Sequence, residues 1–110
     1  MYPRRGEVWW VSFDPSIGGE IQKTRPAIVI SNDAANSALN RVIVIPITSQ
    51  VAKVYPAEVV IIVNGEQRKA MADQIMTASK QRLKNKLGNL SRADVTAVES
   101  AVLLQLGIRR

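Results

Sequence analysis

The chain has 110 residues, with 15 Lys and Arg against 9 Asp and Glu, a formal net charge of +6, and neither cysteine nor histidine. That length suits one domain with a single real core, and hydrophobic and charged shares of 46% and 22% are ordinary for a soluble globular protein. Without cysteine there is no disulfide framework and no thiolate metal centre; without histidine the usual acid–base group at neutral pH and the commonest metal ligand are both gone. The opening residues, Met1 to Glu7, are polar, and no apolar run approaches the length of a membrane span, so a cytoplasmic address is expected.

The positive charge lies late in the chain. Residues 1–50 hold five basic and four acidic side chains, whereas residues 51–110 hold ten and five. Between Asp73 and Asp94 there is no acid, while Lys80, Arg82, Lys84, Lys86 and Arg92 all fall there. Such a stretch is either a solvated basic surface or a footprint for a polyanion, most simply nucleic acid.

In chain order, Glu7-Val8-Trp9-Trp10-Val11-Ser12-Phe13 alternates and is rich in aromatic and β-branched residues, which predicts a first strand. Its tryptophans read as core or interface anchors ahead of base-stacking platforms. Asp14-Pro15 ends it, and Ser16 to Lys23, with two glycines, forms a polar loop able to close over a ligand. Lys23-Thr24-Arg25-Pro26 then passes into Ala27-Ile28-Val29-Ile30, a strand apolar enough to be buried on both faces. Proline keeps the residue before it extended, so Arg25 stands at the junction of loop and core. There it either caps a strand end or serves as a binding or catalytic group on rigid backbone.

Ser31-Asn32-Asp33 offers an N-cap for a helical turn over residues 34–38. Val42 to Ile45 predicts a second apolar strand, closed by Pro46 and followed by the hydroxyls of Thr48 and Ser49. After a loop through Lys53, Tyr55 and Pro56, Glu58 to Val63 predicts a strand, and Asn64-Gly65 is a strong type I′ hairpin signal with a weaker return arm near residues 67–72. Asp73 to Thr77 follows without an assigned element, then a short helical or irregular piece is expected through Leu83, then a short strand over residues 86–90. Ser91-Arg92-Ala93-Asp94 resembles a capping box, and Val95, Val98, Val102 and Leu106 make one helical stripe, broadened by Leu103 and stopped by Gly107. A handful of short antiparallel strands with one packed helix closes most naturally as a small barrel or strongly curled sheet.

This composition supports little conventional catalysis. Asp33, Asp73 and Glu20 have no ligand-spaced partners, and there is no Gly-rich phosphate loop or nucleophile elbow. RNA, however, carries its own nucleophile in the 2′-hydroxyl, so its cleavage needs only orientation, charge stabilisation at the phosphate and proton transfer between oxygens. An arginine fork beside a threonine hydroxyl meets the electrostatic requirement. Arg25 and Thr48 meet only if their strands are neighbours ending on the same side.

The blocks Arg5-Gly6-Glu7-Val8-Trp9-Trp10-Val11, Asp14-Pro15, Gly19-Glu20, Arg25-Pro26-Ala27-Ile28-Val29-Ile30-Ser31, Pro46-Ile47-Thr48-Ser49-Gln50, Tyr55-Pro56-Ala57-Glu58-Val59 and Ala72-Asp73-Gln74-Ile75 resemble, in order, those of the MazF/PemK family of type II toxins. The resemblance spans nearly the whole chain, and the Arg25 and Thr48 blocks are its specific part. It implies one domain over residues 1–110, an SH3-like (CcdB/PemK-type) small antiparallel barrel with a C-terminal helix, and a homodimer. It also implies a metal-independent, sequence-specific endoribonuclease that needs no cofactor and leaves 2′,3′-cyclic phosphate and 5′-hydroxyl ends on single-stranded RNA. Carried over by residue, Arg25 and Thr48 are catalytic at the scissile phosphate. Glu20 falls on a flexible-loop acid implicated in activity in some members, Asp73 and Gln74 on a stretch that in others helps build the site or read bases, and Ser49 and Gln50 are expected to bind substrate. Lys53, Lys80 and Arg82, with Lys84 and Lys86, are candidates to hold the RNA backbone. An arginine common in the family two positions after the glutamine is Met76 here, which removes a charge from that place. An acidic antitoxin with a disordered tail is the implied partner. The competing expectation is a non-catalytic CcdB-like toxin or binding module acting on DNA gyrase or nucleic acid.

Overall fold

The computed structural model describes residues 1–13 and 23–109. Seven strands, β1 (Glu7–Ser12), β2 (Thr24–Val29), β3 (Arg41–Thr48), β4 (Glu58–Val63), β5 (Glu66–Met71), β6 (Met76–Ser79) and β7 (Leu83–Asn89), are joined by the short helix α1 (Asp33–Ala38) and followed by α2 (Arg92–Gln105). All pairings are antiparallel, in the order β4-β5-β3-β2-β1-β7, with β6 also on β3. The fold is therefore mainly β, a curled, barrel-like antiparallel sheet with one C-terminal helix, as expected.

Local chemistry explains the elements. Asn64 and Gly65 both take positive φ, the requirement of a type I′ turn, and align β4 on β5 from Val63↔Glu66 to Glu58↔Met71. The Asn32 side chain accepts from the Ala35 N–H and starts α1, and the Ser91 hydroxyl accepts from the Asp94 N–H at 3.1 Å and starts α2. Gly107, at φ 69°, ends α2, with the Ile108 N–H bonded to the Leu103 carbonyl.

Two expectations are corrected, and one stretch without an assigned element is resolved. Pro46 does not close β3, which runs through it to Thr48. It is tolerated because it pairs with Ala27 of β2 where the other edge of β3 changes partner, from β6 at residues 41–44 to β5 at residues 47–48. The unassigned stretch after Asp73 holds the end of a 3₁₀ turn at Ala72–Gln74 and then β6 on the open edge of β3, whose last two residues take the start of the piece expected to be helical or irregular; the rest of that piece is a 3₁₀ turn at Lys80–Arg82. β6 was illegible because Met76-Thr77-Ala78-Ser79 has no strong alternation and is recruited by the open edge. Leu106 leaves the helical stripe and is 55% exposed, whereas Ala101 is buried beside Val98.

The sheet carries apolar packing on both faces. On one, Ile28, Ile45, Ile47, Ile61 and Val63 pack with Val98 of α2. On the other, Val11, Phe13, Ala27, Val29, Val42 and Val44 form a second cluster with Ala78, flanked by Trp9 and Leu83. This explains why β2 and β3 read as continuously apolar: each strand is buried on both sides.

Candidate functional site

The site is set by register. On β2 and β3, Val29 lies opposite Val44, Ile28 opposite Ile45, and Ala27 opposite Pro46. Cross-strand partners share a face, and alternate pairs return to the same face. The face that holds Val29/Val44 and then Ala27/Pro46 therefore carries, two residues further, Arg25 and Thr48. Apolar packing gives way to an exposed arginine and a half-buried threonine at the end of the same rigid ladder.

The row continues sideways. Arg25 is opposite Val11 on β1, and Thr48 is opposite Lys69 on β5. With the β2–β3 register continued two residues past its last pair, Ala27 and Pro46, Arg25, Thr48 and Lys69 fall in line across three strands. The Thr48 Oγ1 accepts from the Gln50 N–H at 3.2 Å, which fixes the hydroxyl oxygen and leaves its proton able to donate. The same bond draws exposed Ser49 and Gln50 into the turn after Thr48.

Lys69 is only 7% exposed. Its Nζ lies 3.0 Å from Glu58 Oε1 and donates to the Lys53 carbonyl at 2.8 Å. Glu58 Oε1 also accepts from the Tyr55 N–H at 2.8 Å. A buried ion pair thereby ties residues 53–58 back against the strand beside Thr48. This group was invisible in the sequence: Lys69 lies in a weak strand among polar neighbours, and nothing local marks it as buried. Tyr55 and Glu58 belong to one of the family-like blocks but carried no role there.

The other expected residues are placed unevenly. Asp73 is exposed and Gln74 half-buried on the 3₁₀ turn between β5 and β6, where β3 changes partner. Gln74 Nε2 lies 3.7 Å from Met71 Sδ, a weak contact. Arg82 Nη1 donates to the Ser12 carbonyl at 2.9 Å, which brings it to the end of β1 paired with Thr24, beside Arg25. Lys80 is elsewhere: its N–H bonds the Asn40 carbonyl, just before the first residue of β3, seven residue steps or roughly 23 Å of strand from Thr48. Lys84 Nζ donates to the Gln81 carbonyl and Lys86 pairs with Glu7 at 3.1 Å. Glu20 lies outside the described residues; among the described ones, the Phe13 N–H donates to the Lys23 carbonyl at 2.8 Å.

Trp9 behaves as an anchor. Its indole N–H donates to Glu7 Oε1 at 3.0 Å, and its ring packs on the second cluster while lining a depression of about 540 Å³ with Tyr2, Arg4 and Lys86. Burial pushes the Glu7 carboxyl up, but bonds from the Arg4 N–H, Trp9 and Lys86 outweigh it and hold its pKa below the ordinary value. Among the described residues, no three His, Cys, Asp or Glu side chains group to hold a metal ion, and no helix is long and apolar enough to cross a membrane.

Residues 4–106 match the family described as PemK-like, MazF-like toxin of type II toxin–antitoxin system. The chain is 40% identical over 114 residues to the endoribonuclease MazF9 of Mycobacterium tuberculosis strain H37Rv, covering 96% of this chain and 97% of that protein. Among solved structures it superposes on MazF of Deinococcus radiodurans with a TM-score of 0.87 at 26% identity, over 98% of this chain and 99% of that one. A MazE–MazF structure from the same organism gives 0.79 at 28% identity, over 97% and 98%. By sequence over almost its whole length and by fold, this chain belongs to the PemK-like, MazF-like toxins of type II toxin–antitoxin systems.

Proposed function

We propose that the chain is the toxin of such a system, an endoribonuclease that cuts single-stranded RNA in the cytoplasm through Arg25 and Thr48, without a metal ion. The observation that carries this reading is the β2–β3 register, whose continuation by two residues past Ala27 and Pro46 puts Arg25 and Thr48 on one face. A guanidinium fork binds two phosphate oxygens and balances the charge that grows on them as the substrate 2′-oxygen attacks. The Thr48 hydroxyl, its oxygen fixed by the Gln50 N–H, supplies a further donor. The 2′-hydroxyl gives up its proton to water as its oxygen bonds to phosphorus, the P–O5′ bond breaks, and the departing 5′-oxygen takes a proton from water, giving a 2′,3′-cyclic phosphate and a 5′-hydroxyl end. No histidine is available to move those protons, so electrostatics and orientation carry the rate. Ser49, Gln50, Asp73, Gln74 and Glu20 surround the RNA in this reading, with Lys53 and Arg82 on its backbone near the site and Lys80, at the far end of β3, reached only by a more distant part of the strand.

The working form in this reading is one domain paired as a homodimer. Its support is the exposure of Leu104, Leu106 and Ile108 beyond the buried part of α2, together with an apolar depression of about 260 Å³ that includes Ile30, Ile43, Ile75, Val102 and Leu103. The net charge of +6 suits an acidic, disordered antitoxin tail that folds on binding. No observation favours the gyrase-directed alternative.

The test is incubation of a long single-stranded RNA in EDTA with the wild type and with a folded Arg25→Ala protein. Discrete cleavage by the wild type alone, leaving 5′-hydroxyl ends, is the expected result. Absence of cleavage across RNAs of varied sequence would overturn the reading.

A further inference from the structure

The segment joining β3 to β4 presents Tyr55 to solvent at 56% exposure yet holds its backbone at both ends. The Tyr55 N–H donates to Glu58 Oε1 at 2.8 Å, and its carbonyl accepts from the Glu58 N–H at 3.0 Å. Two residues on, Ala57 takes a φ of 66°, an unfavourable region for a residue with a Cβ, and is 6% exposed. Its carbonyl accepts from the Ala72 N–H at 3.1 Å, and its methyl packs with Ala72 and Ala101. A tight turn is thus forced into a sparsely populated conformation and locked there.

Beneath it lies the buried Lys69–Glu58 pair. The Lys69 ammonium lies 5.7 Å from the Tyr55 ring centroid, within reach of a cation–π contact, and grips the Lys53 carbonyl. Burying a lysine and a glutamate is expensive, and such a pair contributes little net stability over apolar side chains of the same size. Its distinctive effect is geometric: it fixes an exposed aromatic ring next to the residue directly opposite Thr48. Solvent-exposed tyrosines on loops are ordinarily mobile, so ordering one in advance lowers the entropic cost of a partner stacking on it.

From this geometry we infer that Tyr55 is a stacking platform for an RNA base neighbouring the scissile phosphate, held in place by the Lys69–Glu58 clasp. The inference rests on the ribonuclease reading of Arg25 and Thr48 and adds a base subsite to it. Stacking on an aromatic ring tolerates any base, so Tyr55 supplies affinity and register for the strand, and Lys69 and Glu58 are positioning residues.

The test uses the full-length protein and a fluorescein-labelled, 2′-O-methyl single-stranded oligonucleotide, which has no 2′-hydroxyl to attack and so reports binding apart from cleavage. Tyr55→Ala is expected to weaken binding about 10-fold, as loss of one stacked base does, while Tyr55→Phe and Tyr55→Trp bind within about twofold of wild type, because a π-face is retained. An abasic residue at one position of the oligonucleotide should cost the wild type the same factor and cost Tyr55→Ala nothing further. The slope of log Kd against log salt should stay unchanged in Tyr55→Ala but fall by about 0.7 in Lys53→Ala if Lys53 neutralises one phosphate. Lys69→Met should weaken binding like Tyr55→Ala and make residues 49–57 a site of proteolytic nicking; if it fails to fold, the Tyr55 series still decides. Equal affinity of wild type and Tyr55→Ala, or additive losses at every abasic position, would overturn the inference. Failure of RNA cleavage in EDTA with stacking intact would instead remove the nuclease reading and leave an RNA-binding surface.

Discussion

Two stretches of one sheet face, a few residues apart, have opposite fates. At Val29/Val44 and Ala27/Pro46 the β2–β3 ladder is buried, and its side chains only pack. Two residues beyond the last pair, at Arg25 and Thr48, the same two strands emerge toward solvent with a charged fork and a hydroxyl. The rigidity of the first region positions the second: a guanidinium on a strand whose next four residues are buried has far less backbone freedom than one on a loop. The proposed site is therefore an extension of the core, and any precision it has derives from apolar packing that takes no part in chemistry.

That contrast can be broken most sharply at Arg25. Arg25→Ala should lower kcat/KM by about 10³-fold, as removal of a transition-state charge contact does, with a melting temperature near that of the wild type because the residue is exposed. A loss of both together would mean that Arg25 is a structural cap. Next in size, Thr48→Val, which keeps shape and removes the hydroxyl, should cost about 10²-fold in kcat, the effect of one missing donor, whereas Thr48→Ser should recover most of it. The packed region should respond in reverse. Val44→Ala should destabilise by about 2 kcal/mol through lost burial and the cavity left behind, measured by chemical denaturation, with the activity of the folded fraction unchanged. Still further from the site, Ser91→Ala removes the α2 cap and should cost about 1 kcal/mol with no change in RNA cleavage.

The smallest effect expected is with pH. Bonds from the Arg5 N–H, opposed by desolvation and aided by Asn36, hold the Asp33 carboxyl below its ordinary pKa, and Glu7 is lowered as well. Groups depressed in the folded state contribute stability that is fully present above their unfolded pKa, about 4 for these carboxyls, and is lost as pH falls through the folded value. The melting temperature should therefore be insensitive to these two groups from pH 7 down to about 5 and decline below about 4. Glu7→Gln should flatten part of that decline.

Much of this was legible in local sequence. Asn64-Gly65 could only be a tight hairpin, Ser91-Arg92-Ala93-Asp94 could only start a helix well, and Arg25-Pro26 had to be extended at the mouth of an apolar strand, because each rests on backbone sterics or capping within a few residues. Continuation of β3 through Pro46, recruitment of β6 and the burial of Lys69 depended on which edge met which strand, and no window of neighbouring residues contains that information. The same holds for the site. Residue types and their ordered blocks singled out Arg25 and Thr48, but their approach depends on a register summed over residues far apart in the chain. The Lys69–Glu58 clasp beneath Tyr55 belongs wholly to the tertiary structure, since a lysine is driven into a core only when the folded sheet brings a carboxylate to meet it.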